Sequence, residues 1–418
     1  MLKYFSIYLI AFTIALSSSS QVITAEKRSV STKQFIRADG QNLKTPDGKP
    51  FLIQGINLGN WLNPEGYMFL FSNASSFRLI DQALKELVGT DEVNQFWQQF
   101  QDNYITRADI HYIKQTGMNS IRLPFHYKLF TNEDYMGANN ANRGFELIDR
   151  VVNWCKQEGL YVILDMHDAP GGQTGDNIDD SYGYPYLFEN KDDQKLYCTI
   201  WQRIAEHYAN EPTVIGYDLL NEPIAHYFPN KDELNKQLEP IYKMATSAIR
   251  QVDKNHLVIL GGAQWDGNFT VFSDWKFDDK MMYTCHRYWC DTLQANVQDF
   301  VDFRNKTNRP IYMGETGENS DQWVASYRRL LEQNNIGWHY WPYKKLEKTS
   351  CMVSVKVPDE WNRIIEFTKS DRSSFENIRK NRISPTLARK ALHELLENVK
   401  FENCTPNNGY IKALGMKP

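Results

Sequence analysis

The sequence predicts an α/β protein folded as a (β/α)₈ TIM barrel in a single domain, with an N-terminal β-hairpin in front of it. Eight short apolar runs rich in β-forming residues recur between positions 51 and 343. Longer segments with apolar residues at i, i+3, i+4 and i+7 lie between most of these runs. This alternation is typical of parallel strands joined by helical crossovers. A doubly wound open sheet is the alternative, but the sequence has no glycine-rich nucleotide turn of the kind that such sheets usually carry.

The predicted elements follow one another in a regular order. The segment "FIRADGQNLKTPDGKPFLIQG" predicts the hairpin, because two apolar runs flank the turn-forming "TPDGKP". The eight predicted strands are 51–57, 120–125, 161–167, 214–220, 257–262, 281–288, 310–316 and 337–343. The link between the fifth and sixth strands favours a loop over a helix. The polar, helical segment 358–398 is predicted to close the ring.

The first residues of the sequence resemble an export signal. Lys3 precedes the apolar run "YFSIYLIAFTIAL", which is too short to span a bilayer comfortably, and cleavage is predicted after Ala25. We therefore expect a signal peptide at 1–25, the barrel domain at 35–400 and a C-terminal tail at 401–418. The protein is expected to be secreted, periplasmic or exposed at the cell surface, and a retained membrane anchor is the alternative.

Charge and cysteine content limit the partners and cofactors. A net charge of −4 and a pI near 6.2 leave no basic surplus to neutralise phosphates, so nucleic acid is not an expected partner. The 6 cysteines could form bridges or stay as free thiols, and the sequence does not choose. No Cys/His cluster has zinc spacing, so we expect no metal and no cofactor. We expect a monomer without stable membrane insertion.

The tripeptide Asn-Glu-Pro occurs twice, at 210–212 and at 221–223. The first copy follows a helical pattern and precedes the fourth strand, so it lies on the barrel face that serves stability. The second copy lies where that strand ends, on the face where barrel enzymes hold their active sites. We therefore interpret Glu211 as a solvated charge and Glu222 as a candidate functional residue.

The ends of other predicted strands carry further polar and aromatic residues. They are Arg122, His167, His286, Tyr288, Glu315 and Trp341. Two carboxylates that face one cleft suit glycoside hydrolysis, because one must be protonated to assist the leaving oxygen while the other attacks the anomeric carbon or activates water. A metal-dependent hydrolase is less favoured, because it would need more histidines at strand ends. Strict alternation turns Asn221 and Glu222 to opposite sides, so the strand end must twist or bulge for both to reach a sugar.

Seven segments, taken in order, resemble glycoside hydrolase family 5, within the clan of retaining (β/α)₈ glycosidases. They are "GINLGNWL", "IRLPF", "ILDMHDAPGGQ", "LLNEP", "CHRYW", "YMGET" and "WHYW". The resemblance covers nearly all of 35–400. It implies an enzyme that hydrolyses a β-glucan-type polysaccharide or oligosaccharide by double displacement, with Glu315 as the nucleophile and Glu222 as the acid/base.

The resemblance also implies roles for residues around the two glutamates. Asn221 would contact the 2-hydroxyl group of the sugar, whose bonds tighten in the transition state. Arg122 and Tyr288 would hold Glu315. His286 would orient the side of the site that carries the acid/base.

Other positions bear on the substrate. His167 would contact the sugar in the −1 subsite, where Trp341 would form the platform. The segments "NLGNWLNPE" and "HDAPGGQTGDNIDDSYG" most resemble the exo-β-1,3-glucanase branch, whose acidic substrate-binding residue is matched by Glu65. The departure is Asp180, which stands where that branch has a sugar-binding asparagine, and an ionised carboxylate only accepts hydrogen bonds.

These features leave alternatives open. The sequence is also consistent with an endo-β-1,4-glucanase, another β-glycanase acting on mannan or xyloglucan, a transglycosylase, or a catalytically silent barrel that binds glycans. Three further tryptophans fit outer sugar subsites and packing equally well: Trp61, Trp265 and Trp289. Glu318 is interpreted as a loop charge. The Trp341-Pro342 bond is predicted to be cis. Members of this family tend to have a cis peptide bond after this tryptophan, and a cis bond before proline costs only about 0.5–1 kcal/mol.

Overall fold

The computed structural model describes residues 34–418, and the predicted signal peptide lies outside the described residues. The predicted fold class is confirmed, because eight parallel strands close into a barrel that is surrounded by helices. Three short strands precede the barrel: β1 (Arg37–Asp39), β2 (Asn42–Lys44) and β3 (Pro50–Phe51). They pair antiparallel in one small sheet, which contains the predicted hairpin.

The barrel strands follow chain order around the ring, and the last pairs with the first. They are β4 (Gln54–Asn57), β5 (Ser120–His126), β6 (Tyr161–Asp168), β7 (Val214–Asp218), β8 (Leu257–Gly261), β9 (Met281–His286), β10 (Ile311–Glu315) and β11 (Gly337–Tyr340). Each overlaps one of the eight predicted runs. In six of the eight strands every residue is buried. Burial on both faces of a parallel sheet explains why these runs are continuously apolar.

Helices form the outer layer of the molecule, apart from α7 (Ala263–Asp266), a single turn after β8 whose backbone angles at Gln264 and Trp265 are not helical. They are α1 (Phe77–Val88), α2 (Thr90–Tyr104), α3 (Arg107–Thr116), α4 (Arg143–Glu158), α5 (Lys191–Tyr208), α6 (Lys231–Val252), α7 (Ala263–Asp266), α8 (Ala295–Thr307), α9 (Asp321–Gln333), α10 (Trp361–Lys369), α11 (Phe375–Asn381), α12 (Pro385–Asn398) and α13 (Asn408–Ala413). The sequence marks several of their ends. Thr106 and Asp109 form a capping box at the start of α3, and Gly159, with φ 68°, ends α4 in the left-handed conformation. The link between β8 and β9 is a loop, as predicted, apart from short turns.

The N-terminal sheet closes the floor of the barrel. Ile36 and Leu43 pack in one apolar cluster with inward-facing side chains of the barrel strands, among them Ile163, Ile259 and Met282. This end of the barrel carries the amino ends of its strands. The opposite end, where the strands finish, is therefore the end that stays open to solvent.

The C-terminal part of the chain completes the helical layer. α12 contacts α1 and α2, so the segment predicted to close the ring does so. Three short strands form a side sheet: β12 (Lys344–Leu346), β13 (Val353–Val355) and β14 (Thr405–Pro406). The predicted tail contributes β14 and α13, and α13 packs on α9.

All six cysteines lie within the described residues, and none forms a disulfide. Among residues 34–418, no helix combines the length and the apolar character needed to cross a membrane.

Candidate active site

A cavity of about 580 Å³ opens at the end of the barrel where the strands finish. Seven of the nine predicted site residues line it. They are Glu65, His167, Glu222, His286, Tyr288, Glu315 and Trp341. The other two, Arg122 and Asn221, lie fully buried beneath its floor.

Glu315 is the last residue of β10, and two donors from neighbouring elements hold its carboxyl group. Nη1 of Arg122 donates to Oε1 at 2.5 Å, and the hydroxyl of Tyr288 donates to Oε2 at 2.9 Å. The side chain is almost completely buried. One guanidinium and one phenol therefore fix the orientation of this carboxylate and offset its negative charge.

Arg122 connects the strands beneath the site. Its guanidinium donates to Asp218 at 2.9 Å and to the amide oxygen of Asn221 at 2.9 Å, and it lies 3.0 Å from Asp165. Burial raises the pKa of Asp165 and of Asp218 to about 7, while the charge of Arg122 opposes both shifts. The planar fork of arginine suits this arrangement, because it can donate in several fixed directions at once.

Glu222 reaches the cavity through an unusual backbone conformation. Its φ is 45°, in the left-handed region, and the hydroxyl of Thr174 donates to its carbonyl oxygen at 2.8 Å. This conformation breaks the strand alternation that would have separated it from Asn221. The amide of Asn221 lies beneath the floor of the cavity, 3.3 Å from Nε2 of His167, while Glu222 faces the cavity.

The surroundings of Glu222 favour its protonated form. Burial raises its pKa from 4.5 to about 7, against the opposing effects of His167 and Arg122. Nδ1 of His286 lies 3.0 Å from its Oε1. Burial also lowers the pKa of His286 to about 3, so this ring is neutral at ordinary pH.

His167 and Trp341 form one wall of the cavity. Their rings stack with centroids 5.5 Å apart and planes inclined by 8°. Nδ1 of His167 lies 2.8 Å from Asp165, and Nε1 of Trp341 donates to the hydroxyl of Tyr67 at 2.7 Å. The predicted cis bond between Trp341 and Pro342 is confirmed.

Among residues 34–418, two groups of three side chains have donor atoms close enough to surround a metal ion. One comprises Asp165, His167 and Glu315, and the other comprises Glu222, His286 and Glu315. The guanidinium of Arg122 already binds Asp165 and Glu315. A permanent positive charge at this place repels a cation, so the arrangement suits proton transfer better than metal binding.

The predicted strand ends need correction at three positions. β7 ends at Asp218, four residues before Glu222, and Tyr288 and Trp341 follow the last residues of β9 and β11 instead of lying in them. The backbone pairing of the strands stops earlier than the apolar runs do. These side chains therefore reach the cavity from the first residues of loops.

The structure places Asp180, which the resemblance compares with a sugar-binding asparagine, outside the lining of the cavity. Asp180 does not line the cavity, because its Oδ1 accepts the backbone N–H of Arg78 in the first turn of α1, at 2.9 Å. The residue of this loop that lines the cavity with an amide is Asn177. No sequence signal distinguished the two positions, because the loop conformation depends on its contact with α1.

The tryptophans divide between packing and the cavity. Trp61 is buried and donates to the carbonyl oxygen of Gln101, whereas Trp265 and Trp289 line the cavity. Trp289 is 72% exposed, which leaves its ring free for a ligand.

Sequence reasoning also missed some cavity residues. Glu318 lies in the loop after β10, as expected, and it also lines the cavity and pairs with Lys345. Tyr67 and His226 line the cavity as well. Both residues lie in loops that follow barrel strands, β4 and β7, and this position was the sequence signal that could have identified them as cavity residues.

The closed barrel and the paired carboxyl groups at its mouth define a glycoside hydrolase. A family model described as cellulase, glycosyl hydrolase family 5, matches residues 80–346. This range is more than half of the chain. The chain therefore belongs to glycoside hydrolase family 5.

Similar proteins have several named activities. A β-xylosidase of Phanerodontia chrysosporium is 32% identical over 278 residues, which cover 66% of this chain and 56% of that protein. Endoglucanase C of Acetivibrio thermocellus is 27% identical over 59% of this chain and 86% of its own length. A probable glucan 1,3-β-glucosidase A of Aspergillus clavatus is 26% identical over 65% of this chain and 66% of its own length.

Solved structures share the fold at low sequence identity. An endogalactoceramidase matches with a TM-score of 0.57 at 20% identity, over 74% of this chain and 75% of that one. A rutinosidase from Aspergillus niger matches with a TM-score of 0.57 at 18% identity, over 72% of this chain and 92% of that one. At such identities the likeness concerns the fold alone.

Proposed function

We propose that the protein is a retaining β-glycoside hydrolase acting on β-glucan-type or xylan-type chains, with Glu315 as nucleophile and Glu222 as acid/base. The observation that carries the proposal is the pair of carboxyl groups, whose nearest oxygens lie within 4.8 Å of each other. Inverting enzymes need about 6.5–9.5 Å between the two groups to admit a water, whereas retaining pairs lie about 5–5.5 Å apart. The short separation supports double displacement.

In the first step, protonated Glu222 gives its proton to the glycosidic oxygen while a carboxylate oxygen of Glu315 attacks the anomeric carbon. The bond to the leaving group breaks, and a glycosyl ester of Glu315 forms. The raised pKa of Glu222 supports its role as the acid, and the two donors on Glu315 support its role as the nucleophile. Two carboxyl groups in different environments thereby take two roles.

In the second step, the ionised Glu222 takes a proton from water. The water oxygen attacks the anomeric carbon and displaces Glu315, so the product keeps the original β configuration. Asn221, held by Arg122, is proposed to contact the 2-hydroxyl group of the sugar.

The substrate class is proposed from the relatives and from the cavity. The relatives are named as a β-xylosidase, an endoglucanase and a probable glucan 1,3-β-glucosidase. The stacked pair of His167 and Trp341 supports a sugar platform in the −1 subsite. Glu65 is proposed to accept hydrogen bonds from sugar hydroxyl groups, because it lines the same cavity.

The stereochemistry of the product tests the mechanism. Proton NMR of the first anomer released from an aryl β-glycoside should show the β anomer before mutarotation. Glu315→Ala should lose nearly all turnover, and azide should restore activity with an inverted glycosyl azide product. An α anomer from the wild-type enzyme, or wild-type activity in Glu315→Ala, would exclude the proposed roles.

A substrate screen tests the specificity. The panel is laminarin, cellulose oligomers, xyloglucan, mannan, xylan, and aryl β-glucosides and β-xylosides, with product analysis in the presence and absence of an acceptor sugar. Activity on glucan or xylan substrates is expected. Binding of the panel without turnover would identify a catalytically silent barrel, and acceptor-dependent products would identify a transglycosylase.

Export and oligomeric state are also part of the proposal. The apolar segment at 1–25 supports secretion, and the mature protein is expected to begin after Ala25. N-terminal sequencing of protein from the culture medium tests this. The protein is proposed to act as a monomer, and light scattering after size exclusion should give the mass of one chain.

A further inference from the structure

The loop after β8 contains three consecutive residues in the left-handed conformation. Gln264, Trp265 and Asp266 have φ of 50°, 62° and 55°. None of them is glycine, and each left-handed residue costs about 1–2 kcal/mol. Such conformations persist where the surrounding structure holds them, and they cluster at functional sites.

The side chain of Asp266 is fully buried directly behind Glu222. Its Oδ2 accepts the backbone N–H of Glu222 at 3.0 Å. Gly261 leaves the space that the carboxyl group occupies, because a Cβ atom at this position would lie 1.7 Å from Oδ1 of Asp266. The loop and the end of β8 are therefore shaped around this carboxyl group.

The same carboxyl oxygen faces the histidine that contacts Glu222. Nε2 of His286 lies 3.4 Å from Oδ2 of Asp266, and its Nδ1 lies 3.0 Å from Oε1 of Glu222. Within residues 34–418, Nε2 has no hydrogen bond. Catalytic hydrogen bonds are often long without substrate and shorten in the complex. Asp266, His286 and Glu222 thus form a chain of three groups.

We infer that Asp266 is a positioning residue for the acid/base Glu222. One oxygen of its carboxyl group holds the peptide of Glu222 and also determines which nitrogen of His286 carries the proton. This inference rests on the proposed function.

A carboxyl group is needed because Oδ2 of Asp266 must form hydrogen bonds with both the backbone N–H of Glu222 and Nε2 of His286. When ionised, it accepts from the backbone N–H of Glu222 and from Nε2–H of His286. When protonated, it accepts from the backbone N–H and donates its own proton to Nε2. An asparagine amide can place either an oxygen or an NH₂ group there, so it serves both partners only in one tautomer of His286.

The protonated form of Asp266 fits its surroundings. Burial, reinforced by Asp218 and Glu222, raises the pKa of Asp266 well above its ordinary value. When protonated Asp266 donates a hydrogen bond to Nε2 of His286, the hydrogen of this neutral ring is on Nδ1 and points to Oε1 of Glu222. The acidic proton of Glu222 is then on Oε2, from which it is transferred to the leaving group. Other charged or titratable groups also act on the three members of this chain: Arg122, Asp165, His167, Asp176, Asp218 and Glu315.

The test compares two substrates that carry the same sugar. A 2,4-dinitrophenyl glycoside loses its leaving group without a proton, whereas a phenyl glycoside needs one. We expect Asp266→Asn to lower kcat/KM for the phenyl glycoside by about 10–100-fold, because a misplaced acid loses part of the 10²–10⁴-fold contribution of proton transfer. The value for the dinitrophenyl glycoside should change by less than about 3-fold. Gly261→Ala should give the same split, because its methyl group displaces the carboxyl group.

Two further variants make the result decisive. Asp274→Asn, the same substitution elsewhere in the loop between β8 and β9, should leave kcat/KM unchanged for both substrates. Glu222→Ala should lower kcat/KM for the phenyl glycoside much more than for the dinitrophenyl glycoside. If it lowers kcat/KM equally for both substrates, the acid/base assignment is wrong, and the inference about Asp266 is wrong with it. If Glu222→Ala shows the split while Asp266→Asn affects both substrates alike, or neither, only the inference is overturned.

Discussion

The pH dependence of the step that expels the leaving group follows from the environment of Glu222. Burial raises its pKa from 4.5 to about 7. A shift of this size corresponds to about 3 kcal/mol in favour of the neutral form. Because the neutral form is the acid, kcat/KM for a phenyl β-glycoside should fall about tenfold for each pH unit above about 7.

Replacing Glu222 by Gln removes the titrating group and keeps its size. An amide is not an acid in this range, so kcat/KM should fall by about 10²–10⁴-fold and the alkaline limb should flatten. The assay is the initial rate of phenol release between about pH 5 and about pH 9, with buffers overlapped at constant ionic strength. Thermal unfolding of the variant checks that it is folded.

The first copy of the tripeptide provides the matched control. Glu211 precedes β7, pairs with Lys156 at 2.8 Å and lies away from the cavity. Glu211→Gln should therefore keep both the rate and the pH profile of the wild type. If Glu222→Gln kept an alkaline limb at the wild-type position, the assignment of that limb to Glu222 would be refuted.

Other substitutions test further parts of the site and the fold. Arg122→Lys should lower kcat by about 100-fold or more in steady-state assays, because an ammonium group cannot reproduce the fork that holds Glu315 and its neighbours, and full activity would contradict this. Trp289→Ala should raise KM for oligosaccharides by about 3–10-fold, which corresponds to about 0.5–1.5 kcal/mol of lost stacking, while small aryl glycosides are unaffected. An equal effect on both substrate types would contradict a role in outer subsites. Lys344→Met should destabilise the fold by about 3–5 kcal/mol in urea unfolding, because it leaves the buried carboxylate of Asp109 without the ammonium group now 2.6 Å away. A loss below about 1 kcal/mol would show that Asp109 finds another partner.

The fold could be predicted because its signal repeats. Each barrel strand is buried on both faces, so each appears as a short continuous apolar run, and the helices between them carry a different periodicity. The positions of Glu222 and Glu315 followed from one rule, since the carboxyl ends of parallel strands meet at one end of a barrel. The same rule correctly excluded Glu211 from the site.

The loops could not be predicted, because contacts distant in sequence determine their shape. Asp180 turns away from the cavity to accept a hydrogen bond from Arg78, which lies 102 positions earlier, and this brings Asn177 to the lining instead. The left-handed backbone of Glu222 depends on its bond to Asp266, 44 positions later. Neither contact leaves a local pattern of periodicity or turn residues.

Covalent trapping tests directly whether Glu315 attacks the anomeric carbon. A 2-deoxy-2-fluoro glycoside with a dinitrophenolate leaving group slows the second step, so the glycosyl enzyme should accumulate with one sugar per chain. Mass spectrometry of the digested protein should locate the added mass on Glu315. A label on any other residue, or inactivation without a covalent sugar, would show that Glu315 is not the nucleophile.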